Sequence, residues 1–210
     1  MSSIINASTS GGLIQSADTS GILELQSDGT TKLQVTPTLI IGTDTSTIPN
    51  EHYIVLSSTN TLTSQTGVQP IFDGGGGPTG GQITLPIGTY QFECSYALTG
   101  MSATSGSFGF ALGGTATKTE SWSASAVKGI AGSAGTFSYN TAANTSIVAA
   151  SIVQTGAALI KGIIRITVAG TIIPQVSLGV AAAAVIQPNS YFKISPISAS
   201  ATVVNSGLWS

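Results

Sequence analysis

The sequence predicts an all-β protein, a short N-terminal β arm followed by a sandwich or jelly roll. Strict alternation of apolar and polar residues runs through 88–98, a period of two that a helix does not produce. About nine short apolar stretches follow residue 50, each bounded by Gly, Pro, Ser or Asn turn signals. No long stretch carries the three-to-four-residue spacing of an amphipathic helix.

The arm comes first. Leu13, Leu23 and Leu33 recur ten residues apart, each behind a small-residue turn. Leu23 and Leu25 flank Glu24, and Leu33 with Val35 repeats that alternation, so each unit reads as one short strand. Asp28-Gly29 between them suits a turn with positive φ. Strands this short do not bury an apolar face unaided. Residues 36–50, with Pro37, Gly42 and Pro49, read as a connector, so the expected division is 1–50 for arm and connector and 51–210 for the β domain.

Within the domain the clearest strand is 88–98, with Tyr90, Phe92, Cys94, Tyr96 and Leu98 on one face and Glu93 on the other. A second spans 160–168, with Ile164, Ile166 and Val168 inward and Lys161, Ile163, Arg165 and Thr167 outward or toward a neighbour. Further strands are expected at 52–56, 82–85, 107–112, 146–154, 171–180, 190–194 and 201–204. The alanines at 181–184, set between Val180 and Val185-Ile186, favour a closely packed small-residue strand over a helical turn.

Charge is scarce: 6 Lys or Arg and 8 Asp or Glu make up 7% of 210 residues, while Gly alone contributes 26. Ordinary soluble domains are about 25% charged. With 41% hydrophobic residues and a net charge of -2, the chain sits far from the composition of disordered proteins. Six cations do not furnish the basic face that phosphate neutralisation requires, which argues against nucleic acid as a partner. The apolar run 178–186 falls well short of the ~20 residues of a membrane helix. The N-terminal residues show no basic segment and apolar core of a secretory signal, so synthesis in the cytoplasm is expected. A near-neutral, hydroxyl-rich surface suits a chain packed against its own copies. The first 120 residues hold two cations against eight acids, a balance of -6, and the last 90 hold four cations and no acid, +4. Such an asymmetry points to partner contacts, including attraction between halves in an oligomer, or to chance among so few charges.

Catalytic chemistry finds little support. His52, the one histidine, opens a strand and reads as a partly buried structural residue. Cys94, the one cysteine, excludes an internal disulfide and sits in the apolar row of the best strand, where a thiol behaves as a small hydrophobe. Glu93 and Glu120 are the pair that a glycoside hydrolase would need within roughly 5 to 9.5 Å of each other, and solvated strand-face charges explain them as well. The acids stand singly, unlike those of a calcium loop, and zinc ligands are lacking. The segment from Gly75 to Gly80 fits G-x-G-x-x-G by letter, but a strand follows where the dinucleotide fingerprint needs a helix. Asn6 and Asn144 head formal glycosylation sequons that have no meaning without a secretory route. Trp122 and Trp209 would serve a carbohydrate platform if exposed and the core if not. No catalytic, metal or cofactor site is expected.

Residues 10–35, from Ser10-Gly-Gly-Leu to Lys32-Leu-Gln-Val35, resemble a segment near the N-termini of bacteriophage and prophage fibre-like proteins. Gly88-Thr-Tyr-Gln-Phe-Glu, Phe110-Ala-Leu-Gly-Gly-Thr-Ala-Thr, Lys161-Gly-Ile-Ile-Arg-Ile, Gly170-Thr-Ile-Ile-Pro-Gln, Ser190-Tyr-Phe-Lys-Ile and the closing Gly207-Leu-Trp-Ser are similar to their C-terminal domains. The resemblance implies a homotrimeric virion protein with a jelly roll of the C1q or tumour-necrosis-factor type, although the many-repeat shaft of long fibres is missing. The expected role is a non-enzymatic, short trimeric surface protein, anchored to tail or head by residues 1–50 and projecting its β domain toward a host glycan. The alternatives are a capsid decoration protein, and a sugar-binding or depolymerising domain.

Overall fold

The computed structural model describes residues 23–27, 30–35, 40–41, 51–73, 80–129, 136–140 and 145–202. Leu13, the Asp28-Gly29 turn, residues 75–79 of the glycine motif, Asn6, Asn144, residues 203–204 and Trp209 lie outside them. The chain divides into two compact units, Met1–Ile48 and Pro49–Ser210.

In the first unit β1 (Leu23–Ser27), β2 (Thr30–Val35) and β3 (Ile40–Ile41) form an antiparallel sheet in that order. Leu23 stands opposite Val35 and Leu25 opposite Leu33, with a register shift after Leu25. Ile40 and Ile41 pair with Val35 and Gln34. The stretch read as a connector thus contains a strand, formed by two β-branched residues too few to show a period.

The second unit holds β4 (His52–Val55), β5 (Asn60–Thr61), β6 (Gln69–Pro70), β7 (Ile83–Leu85), β8 (Gly88–Thr99), β9 (Phe108–Gly113), β10 (Thr117–Lys128), β11 (Thr136–Asn140), β12 (Thr145–Ser146), β13 (Gly156–Val168), β14 (Gly170–Leu178), β15 (Val185–Ile186) and β16 (Tyr191–Ser198). The larger sheet runs β11-β10-β13-β8, and the far edge of β8 is shared by β16 and β15. Strand β16 in turn carries β4, and β15 carries β5. The smaller sheet runs β12-β9-β14, with β6 and β7 sharing the far edge of β14. These pairings are all antiparallel.

The core lies between the sheets, as in a sandwich. Every second residue of β8 from Tyr90 to Leu98 is buried, as its alternation predicts. Phe92 of β8 stacks on Phe110 of β9 with centroids 6.1 Å apart, and Trp122 of β10 meets Phe110 edge-on at 5.3 Å. Phe192 of β16 and the Tyr96–Phe108 pair extend this aromatic layer. Such pairs contribute about 0.5–1.5 kcal/mol beyond their buried area.

Several expectations need correction. Residues 146–154 are not a strand: only Thr145–Ser146 pairs with β9, and Ser151 makes a single bridge to Gly106. Ile147 and Val148 are nevertheless buried, so the loop lends two residues to the core, while Ile152 is 73% exposed. Val168 is 56% exposed rather than inward, because its partner Thr117 lies beyond the register shift that ends regular β10–β13 pairing. Residues 181–184 are irregular and lead into the two-residue β15, while 201–202 form a bend. Strands β10 and β11 are absent from the sequence-based expectation altogether.

Candidate functional site

The two carboxylates weighed as an acid pair do not converge. Glu93 lies opposite Lys161 and points to the outer face of the large sheet, while Glu120 lies opposite Ile164 on the buried face. Glu120 Oε2 is 3.8 Å from Lys118 Nζ in a setting where the carboxylate side chain is only 6% exposed. Burial raises its pKa against the pull of that lysine. Its Oε1 and the Trp122 Nε1 make no well-formed hydrogen bond among the described residues, although the indole N–H is near enough to pull the carboxyl pKa down against burial. Trp122 is a core residue, and Cys94 is buried with its thiol pKa pushed well up by burial. His52 is exposed, not partly buried, because it sits on β4, the outermost strand beyond β16. Among the described residues no group of three or more His, Cys, Asp or Glu could hold a metal ion. No helix among them is long and apolar enough to cross a membrane.

What the fold assembles is the outer face of the large sheet. Cross-strand registers align Tyr53, Lys193, Glu93, Lys161, Ser123 and Tyr139 in one ladder from β4 to β11. The neighbouring ladder is Val55, Tyr191, Ser95, Leu159, Ser125 and Phe137. Its two ends differ in chemistry. At β11, Phe137 is 78% and Tyr139 68% exposed, and Val127 of β10 and Leu159 of β13 are also exposed beside serines. Tyr139 is tied to its neighbour strand by a 2.8 Å hydrogen bond with Ser121 Oγ.

At the β4–β16 end the charges neutralise one another. Lys193 Nζ is 2.8 Å from Glu51, and Lys161 Nζ is 2.8 Å from Glu93. Each pair joins an acid of the first 120 residues to a cation of the last 90, so part of the charge asymmetry along the chain is absorbed within it. Lys193 holds the Glu51 carboxyl below its ordinary range and is itself raised by it. Lys161 and then the Tyr191 hydroxyl lower Glu93, and donation to Glu93 pushes Tyr191 up to about 12. Lys193 also sits 5.3 Å from the centroid of the Tyr53 ring, a cation–π contact. A groove of about 390 Å³ opens here, lined by Tyr53, Val55, Glu93, Asn189, Tyr191 and Lys193.

A second depression of about 260 Å³ lies around Asn60, Thr63 and Gln69. Two of its amides are occupied in holding the loop: Asn60 donates to the carbonyls of Pro70 and Ile71, and Gln69 exchanges bonds of 3.0 and 2.7 Å with the Thr63 backbone.

Alternation puts Glu93 on the polar face of its strand and Lys161 outward or toward a neighbour, but it does not single out Tyr53, Asn189, Tyr191, Phe137 or Tyr139. Alternation gives each strand's faces, not which strands lie side by side. Comparison with family models, curated proteins and solved structures finds no match to this chain.

Proposed function

We propose that the chain is a non-enzymatic structural protein of a bacteriophage virion, a short homotrimeric fibre-type surface protein whose N-terminal β arm anchors it and whose β domain is a jelly roll. The supporting observation is the β11 end of the large sheet, where Phe137 and Tyr139 project into solvent beside exposed Val127 and Leu159. Exposed apolar patches of this kind mark contact surfaces. Copies of the chain are the fitting occupant, because the surroundings are serines and Lys161, the cation aligned with Tyr139, is already paired with Glu93, so the patch itself offers little to a strongly charged partner. Closed symmetry among identical subunits covers such a patch on every copy at once.

Cryo-EM of the particle that carries the chain tests this reading. The expected result is threefold density at a few tail or head positions, with the arm against the particle. Hundreds of copies over the capsid would establish the decoration role instead, and absence from the particle would reject both.

A further inference from the structure

The geometry points to a saccharide site in the groove at the β4–β16 end, selective for neutral pyranosides. Its lining has the two components a sugar needs: aromatic surface for the C–H face of the ring and fixed polar groups for its hydroxyls. Tyr53 remains 56% exposed although Lys193 lies over its ring, and its hydroxyl is held by Glu51 at 3.2 Å. The Tyr191 hydroxyl is tied to Glu93, so both rings are set before any ligand arrives. Asn189 is exposed at the turn into β16, held at φ 65° with its backbone N–H on the Leu56 carbonyl at 2.8 Å. No hydrogen bond occupies its side-chain amide among the described residues, which leaves a donor and an acceptor for vicinal hydroxyls.

The electrostatics select the ligand class. Glu51, Lys193, Glu93 and Lys161 form two ion pairs side by side, so a charged ligand drawn to one partner is repelled by the other. A neutral polyol bonds to the free lone pairs and protons of those same groups without separating them. The volume of about 390 Å³ lies at the small end of ligand sites, suited to one or two sugar rings. Four strand spacings of about 4.8 Å, roughly 19 Å, separate β16 from Phe137 and Tyr139 on β11, so the groove lies at the opposite edge of the large sheet from those two rings. The inference does not depend on the virion role.

Saturation-transfer NMR on the intact chain tests it, with the methyl glycosides of glucose, galactose, mannose and N-acetylglucosamine as probes and sodium glucuronate as the charged comparator. At least one neutral glycoside is expected to receive saturation on its C–H protons, with millimolar affinity. Binding should weaken at least tenfold in Tyr53→Ala and several-fold in Asn189→Gly, which keeps the turn, and stay unchanged in Ser125→Ala. Transfer to none of the four, transfer undiminished in Tyr53→Ala, or tighter binding of glucuronate would each overturn the assignment. Light scattering on the same samples separates this outcome from any failure of the trimer.

Discussion

Gly162 shows how one residue shapes the core. It lies on the inward face of β13, between Trp122 on one neighbouring strand and Phe92 on the other. A Cβ there would come within 2.5 Å of the Ser121 carbonyl oxygen, 2.6 Å of Trp122 Cβ and 2.7 Å of the Phe92 ring. Glycine therefore makes the room in which the two rings reach Phe110. Gly162→Ala is expected to destabilise the domain by about 1–3 kcal/mol through overpacking, measured by chemical denaturation. Lys128 is another residue whose role is structural. Its Nζ is buried and donates to the Gly106 and Ser151 carbonyls, the two residues joined by the isolated bridge, so it fastens the 147–155 loop to the residues before β9. Burial lowers its pKa, the opposite of what its neighbour-paired counterpart Lys193 shows.

At the scale of the element, β10 is the most informative. Its inward row is Lys118, Glu120, Trp122, Ala124, Ala126 and Lys128, three ionisable residues and two alanines around one tryptophan. The pKa of Glu120 is raised in the folded chain, so the folded state holds its proton more tightly than the unfolded state does. Its contribution to stability is full below the unfolded pKa and falls as pH rises toward and through the folded value. Glu120→Gln is therefore expected to raise the melting temperature relative to the parent more at pH 7 than at pH 4; an equal difference at both would contradict the assignment. This strand also marks where reading the sequence fails. Alternation is legible in β8, where the inward row is Tyr, Phe, Cys, Tyr and Leu, and in β13, where isoleucines face inward. In β10 the inward row is no more apolar than the Ser and Thr outside it, and the period vanishes. In 146–154 the opposite happens: aliphatic residues suggest a strand, but they belong to a loop that puts only Ile147 and Val148 into the core. Two-residue strands such as β5, β6 and β15 exist only through their partners, and no local pattern announces them.

For the whole molecule, the all-β class follows from the short alternations and dense turns, and the described residues are strands joined by turns and loops. The candidate site was harder to read, because it exists only once β4, β16 and β8 lie side by side and Tyr53, Lys193 and Glu93 fall into one ladder. Low charge acquires a physical meaning at this scale. Lys161 and Lys193 are spent on internal pairs, and apart from the exposed Arg165 the rest of the outer face is hydroxyl, aromatic and aliphatic, a surface suited to copies of itself. That claim is tested most directly by multi-angle light scattering on the intact chain and on a Phe137→Asp, Tyr139→Asp double variant. The expected mass is three times the 21.0 kDa chain, falling to a single chain in the variant without loss of β structure by circular dichroism. A parent chain that stays monomeric at every concentration, or a variant that stays trimeric, would contradict it.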